Sequence, residues 1–352
     1  MRRLSAVSPL VQLLTGVVII AAGLHAARAI LAPLALAVFA AAISLPVMTW
    51  LRRRGAHTTV AIFLVVAINA SLLTFVGWVI VQTVNELRVE LPTYLERAQI
   101  LEGGLRAWLE ARGITMPPDT FATLVQPDQL LNTVTSAARN ITSVLALFLL
   151  ILLYMVFVLA ESVALPDKVR RVLGPESRVL AGGAAVVAQV QRYLALKTLI
   201  SLVTGSLIGV AAAIFGVDFA LFWGLLAFLL NYIPTIGSIT AAVVGIAVAL
   251  LQLGPGPAFG MSIVYVVVNV TVGSIMDPIL IGRQLRLSPI VVLVSLVFWG
   301  WTWGPIGAFL SVPLTITLRM VLERIQGLQP FAELMGPVED TRPLDLPSGV
   351  AR

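Results

Sequence analysis

Seventeen residues in a row, Val144 to Ala160, carry no charge and almost no polarity. Ile290 to Trp303 comes close to repeating the pattern. About 20 apolar residues are needed for a helix to cross roughly 30 Å of hydrocarbon, and runs of this kind recur along the whole chain. Only 11% of the 352 residues are charged, 59% are hydrophobic, and the mean hydropathy is +0.99. Soluble domains carry about 25% charged residues, so water is not the solvent for most of this surface. A transmembrane barrel would alternate apolar and polar residues at period two, and these runs do not. The expected fold is all-α: a polytopic transmembrane helical protein.

The spans predicted in order are Pro9–Ala27, Ile30–Leu51, Thr59–Gln82, Ile141–Ala160, Thr198–Phe215 and Ala258–Met276. Two further apolar stretches are each broken in the middle. One runs Phe219–Ile233, Pro234-Thr235-Ile236-Gly237, Ser238–Leu253; the other runs Pro289–Trp299, a turn over Gly300–Gly304, and Pro305–Leu318. The first run follows Arg2 and Arg3 like a signal peptide, but a second run continues at once, so a retained hairpin is expected. Four parts follow: helices over 1–82, an extracytoplasmic insert over 83–140, a transport core over 141–322 with a cytoplasmic loop at 161–197, and a cytoplasmic tail over 323–352. The first half of the insert is read as amphipathic helix, with Leu87, Leu91, Tyr94 and Leu95 at helical spacing.

Charge sets the orientation. The net charge is +6, and Arg2/Arg3, Arg52–Arg54, the 161–197 loop, Arg283/Arg286 and Arg319/Arg324 all fall on one side of the predicted spans. Short cytoplasmic loops are enriched in Lys and Arg, which places both termini in the cytoplasm and argues against nucleic acid as a partner. Cysteine is absent and there are two histidines. No thiolate nucleophile or Cys- or His-built metal centre is expected, and no phosphate loop, zinc-protease or nucleophile-elbow motif occurs. The chain is read as a non-enzyme without cofactor, with membrane lipid and a small polar solute or cation as partners.

The broken pairs carry the candidate site. Their arms hold about 11 to 16 residues, roughly 16 to 24 Å at 1.5 Å per residue. They are either thin full crossings or re-entrant hairpins, and the similar tips, Pro234–Gly237 and Gly304–Gly307, suggest an inverted repeat. Trp299, Trp301 and Trp303 pull the other way, because alternating tryptophans read as an interfacial belt. Asp277 is the leading ionisable candidate, since an acid in a membrane segment is a functional hypothesis by default; pairing with Arg283 or Arg286 is the plainer alternative. Asn231 and Thr235 are expected to contact solute. Pro234, Gly237, Pro278, Gly282, Gly304, Pro305 and Gly307 shape the breaks. Asn269 is read as interhelical glue, and Asp218 as a helix N-cap. Gln191, Tyr193 and Lys197 lie where a cytoplasmic mouth would be, although headgroup contact is the commoner reason for such residues. Gly205 and Gly209 are read as close-packing residues.

The stretch Asp277-Pro-Ile-Leu-Ile-Gly-Arg-Gln-Leu-Arg-Leu-Ser-Pro, then Phe298-Trp-Gly-Trp-Thr-Trp-Gly-Pro-Ile-Gly307, resembles the autoinducer-2 exporter (AI-2E) family of bacterial permease-like proteins. Phe228-Leu-Leu-Asn-Tyr-Ile-Pro-Thr-Ile-Gly237 and Gln191-Arg-Tyr193 followed by Lys197 carry the same resemblance. It is strong over about Gln189–Leu322 and extends to the N-terminal half by layout only. The resemblance implies about eight transmembrane helices, the bacterial inner membrane and homo-oligomeric assembly. It also implies transport of a small solute such as autoinducer-2, with sodium–proton antiport as the alternative. A non-transporting membrane scaffold is the alternative from a different class.

Overall fold

The computed structural model of the chain describes residues 9–115, 141–174, 178–277, 279, 280 and 287–337. Pro278, Gly282, Arg283, Arg286 and the second half of the expected insert lie outside them. The described residues form helices and turns with no strand among them. The helices are α1 (Pro9–Ala26), α2 (Arg28–Arg53), α3 (Thr58–Glu110), α4 (Ile141–Leu173), α5 (Arg178–Phe215), α6 (Ala220–Leu230), α7 (Ile236–Leu253), α8 (Pro255–Val268), α9 (Pro289–Leu322) and α10 (Gln329–Leu334). A π-helical segment, Asn269–Met276, continues α8.

Seven of these elements are long and apolar enough to cross a membrane, and α6 and part of α1 add shorter apolar helices. Their outer faces show what surrounds them. Phe63, Ile68, Leu149, Phe157, Ile214 and Phe259 are each more than half exposed. Apolar faces on that scale belong against lipid tails. The polytopic all-α fold read from the apolar runs is the fold the chain has.

α5 is the central post. α6 runs antiparallel down it, with Gly205 and Gly209 facing Gly224. A β-carbon on Gly205 would stand 2.6 Å from the Gly224 carbonyl oxygen, so only glycine lets the two backbones approach this far. α8 also runs antiparallel to α5: Gly260 meets Phe215 near one end, and Asp277 meets Lys197 toward the other.

α6 and α7 make the first hairpin, whose base lies at the C-terminal end of α5. There Gln252 Nε2 donates to the Gly216 carbonyl at 3.2 Å, and its Oε1 accepts from the Asp218 amide at 2.7 Å. α9 is the second hairpin rather than one straight rod. Gly304 has φ 65° and ψ −145°, and the chain folds back there. The indole of Trp299 donates to Thr315 Oγ1 at 3.1 Å, whereas a straight helix would hold residues sixteen apart about 24 Å from each other. The base of this hairpin lies at the N-terminal end of α5, where Gly182 abuts Arg324. The Ser288 amide there donates to the Met335 carbonyl at 3.0 Å, tying in α10. The two hairpins therefore enter from opposite ends of α5.

α3 runs on without a break past Gln82, so the first part of the expected insert is a helical arm. Leu91, Tyr94 and Ala98 are its buried stripe. Tyr94 donates to Asp218 Oδ2 at 2.8 Å, and Arg97 bonds the Gln252 carbonyl, docking the arm on the base of the first hairpin. Asp218 is thus not the N-cap expected of it: α6 is preceded by Phe219, and the carboxylate faces the arm instead.

Candidate functional site

Along α5 the buried polar side chains fall on one stripe. Tyr193, Lys197 and Ser201 follow at intervals of four, with Thr198 beside them, and Lys197 and Ser201 are 5% and 0% exposed. Lys197 is the only charged residue that is fully buried among the described ones. A lone ammonium in such a place costs several kcal/mol, and its partner is Asp277, Nζ to Oδ2 at 2.9 Å. The Asp277 side chain is 26% exposed, and its Oδ1 is buried and accepts no hydrogen bond from the described residues. The observed partner of Asp277 is 80 residues away in sequence; Arg283 and Arg286, the partners expected nearby, lie outside the described residues.

Asp277 is delivered by the π segment. Its amide bonds the carbonyl of Val272, five residues back, so the helix is widened just before the acid. Such segments are rare and recur at functional sites. Asn269, read as interhelical glue, is the first residue of this segment.

The tip of the first hairpin reaches the same level of α5. Asn231 Nδ2 donates to Ser201 Oγ at 3.0 Å, and Tyr232 shares a 2.6 Å hydrogen bond with Thr198. Pro234 has no amide hydrogen to continue α6. Thr235 then takes φ 60°, ψ −56°, and the Ile236 amide bonds the Pro234 carbonyl. This is a γ-turn of the strained hand, unusual for a β-branched residue. Gly237 closes the hairpin, because a β-carbon there would stand 1.8 Å from the Leu230 carbonyl oxygen. Gly307 stands in the same relation, 1.9 Å, to the Trp299 carbonyl oxygen in the second hairpin.

The structure thus gathers Asn231, Tyr193, Lys197 and Asp277. Thr235 lies at the exposed tip. Gln191 donates to the Ala42 carbonyl in the middle of α2 at 2.9 Å. Tyr193, Lys197 and Gln191 are helix-interior residues of the bundle; the loop expected over 161–197 is the end of α4 and the start of α5. Gly304, Pro305 and Gly307 form the other tip, and Phe309 beyond them stacks on Tyr232 with ring centroids 4.4 Å apart. Thr198, Ser201, Tyr232 and Phe309 were not singled out from sequence. Ser201 could have been, since it lies one helical turn on from Lys197. Among the described residues no three His, Asp or Glu side chains group to hold a metal.

A model of the AI-2E family transporter matches residues 14–327. The chain belongs to that family. It is 34% identical over 330 residues to the AI-2 transport protein TqsA of Escherichia coli (strain K12), covering 93% of this chain and 95% of TqsA. It is 35% identical over 324 residues to YhhT of the same strain, covering 92% and 93%, a protein whose name also refers to transport. PerM of that strain, named for a permease, is 28% identical over 182 residues, 51% of each chain. The chain is a multi-pass membrane protein of a transporter family, in contact with lipid and suited to moving a small solute.

Proposed function

We propose that the protein is a secondary carrier that exports a small polar solute, of the class named for TqsA, across the bacterial inner membrane. Both termini are cytoplasmic in this reading, and the working form is a homo-oligomer. The observation that carries it is the Lys197–Asp277 pair, buried where α5, the π segment and the first hairpin tip meet. A membrane interior does not keep such a pair without cause, because hydrophobic replacement of a buried pair is often neutral or stabilising.

In the closed state Lys197 neutralises Asp277. A proton or cation taken up at Asp277 removes that attraction and releases Lys197, and the hairpin tip moves with it. Asn231 then gives up Ser201 and offers its amide to the solute, with Thr235 at the mouth. Pro234, Gly237, Gly304, Pro305 and Gly307 let the backbone break at both tips. Gln191 holds α2 against α5 while this happens.

The test is flux in proteoliposomes, following labelled autoinducer-2 alongside an internal pH dye. Asp277→Asn is expected to lower flux about tenfold or more, the equivalent of roughly 1.4 kcal/mol on the barrier, and the double variant Lys197→Gln/Asp277→Asn, which strands no buried charge, to show the same loss while eluting as a folded species. Wild-type flux with unchanged pH and sodium dependence in Asp277→Asn would sink the coupling role.

A further inference from the structure

Tyr232 ties three elements together. Thr198 Oγ1 already spends its hydrogen on the Leu194 carbonyl at 2.7 Å, so in the 2.6 Å contact the tyrosine hydroxyl is the donor. That bond holds the tip of the first hairpin to α5. The ring stacks on Phe309 of the second hairpin at 4.4 Å with 26° between planes, and meets Phe228 of α6 edge-on at 5.8 Å. Tyr232 is 6% exposed. Behind it lie Ser201 and Asn231, bonded to each other, with the Lys197–Asp277 pair one turn of α5 before Ser201.

We propose that Tyr232 is the gate of the solute path, a positioning residue whose ring plugs the gap between the two hairpin tips. This rests on the carrier reading. Packing alone would be met by phenylalanine, and a buried tyrosine hydroxyl usually takes a hydrogen-bond partner; here the partner is on the post and the ring's partner is on the opposite hairpin. The hairpins otherwise pack on α5 more than on each other, so the ring is a direct tie between two tips that share few others. The means of withdrawal is three residues on, in the strained γ-turn at Thr235. A tip held in an unfavourable conformation relaxes when it moves. Once the ring leaves, Ser201, Asn231 and Thr198 line an open passage.

The chain has no cysteine, so a single introduced thiol reports access. Ser201→Cys, reconstituted in proteoliposomes, is treated with a water-soluble maleimide, with and without Tyr232→Ala. The gate predicts labelling about tenfold faster or more in Tyr232→Ala, a shift of the open population by that factor. Phe309→Ala gives the same direction, and Tyr232→Phe, which keeps the ring, a smaller rise. Thr302→Cys, 0% exposed at the other tip, controls for general loosening and stays slow in every background. Unchanged labelling of Ser201→Cys in Tyr232→Ala overturns the gate, and so does an equal rise at Thr302→Cys. The readout needs no cargo, so absence of wild-type flux would remove the carrier reading and leave the gate to be judged by labelling.

Discussion

The two hairpins obey one packing rule and are broken by different means. In each, an Ile-Gly pair follows the turn, and the glycine (Gly237 or Gly307) lies against a carbonyl of the arm before it with no room for a β-carbon. The first turn is made by Pro234 and a strained threonine, and its outer face is exposed. The second is made by Gly304, which takes φ 65° without a side chain to oppose it. Its surroundings are also firmer: Trp299 bonds Thr315, Trp303 donates to the Leu24 carbonyl at 3.1 Å, and Trp301 stacks on His25 at 4.8 Å. One tip is strained and exposed, and the other is pinned to the α1–α2 corner. In the proposed carrier, this difference makes the first hairpin the moving part and the second its support.

The shared rule can be broken first. Gly237→Ala and Gly307→Ala each put a methyl group inside a backbone oxygen's radius, and backbone cannot turn aside as a flexible side chain can. Overpacking ordinarily costs about 1–3 kcal/mol and occasionally more, and both variants belong at or above the top of that range. Both are expected to lose most of their monodisperse peak in detergent size-exclusion chromatography. If one of them elutes as wild type does, the hairpins are not equivalent in packing either.

The difference between the breaks predicts opposite signs. Thr235→Gly removes a side chain from a positive-φ position and is expected to raise thermal stability, relieving strain of about 1–3 kcal/mol less the entropy that glycine loses on folding. Gly304→Ala introduces strain of similar size and is expected to lower it. Thermal scans of both in detergent check this, and equal signs would end the distinction. Thr235→Gly carries a second expectation: with the strain gone, the closed tip has less reason to open, and flux falls although stability rises.

Much of this was legible in the sequence. The continuous apolar runs dictate the fold class, because only helices and closed barrels satisfy their backbone in lipid. The two breaks announce themselves in Pro234-Thr-Ile-Gly237 and Gly304-Pro-Ile-Gly307, and Gly205 and Gly209 proved to be close-packing residues. The ion pair was half legible. Asp277 stood out as a membrane acid, but counting charges over 161–197 put Lys197 in a cytoplasmic loop, since a sum ignores which face a residue occupies. The apolar neighbours Leu194, Ile200 and Ile208, all buried on the same helix, carry the better signal. The three tryptophans misled for a related reason. Alternation suggested a belt at the surface, yet Trp299 and Trp303 are 8% and 9% exposed and only Trp301 faces outward. They fill the hairpin because the chain folds back at Gly304, and a fold-back brings together residues that no local spacing connects.

The smallest expected effect sharpens the comparison most, because it separates stability from transport. Trp299→Phe keeps most of the ring's volume and loses the indole N–H. Thr315 Oγ1 still donates to the Ser311 carbonyl at 2.7 Å, so it loses a donor to its lone pair and keeps its own bond. The cost is one neutral hydrogen bond, about 1 kcal/mol, with no buried donor stranded. Asn231→Leu removes a bond of comparable length from the first hairpin, 3.0 Å to Ser201, and costs a similar amount of stability. If the second hairpin is support, Trp299→Phe lowers the melting temperature slightly and leaves proteoliposome flux within about twofold of wild type, a change of roughly 0.4 kcal/mol on the barrier. Asn231→Leu, at the same loss of stability, is expected to abolish flux if the proposed carrier passes the solute to its amide. Equal flux in the two variants would mean that both hairpins serve only as packing, and the moving part would have to be sought elsewhere in the bundle.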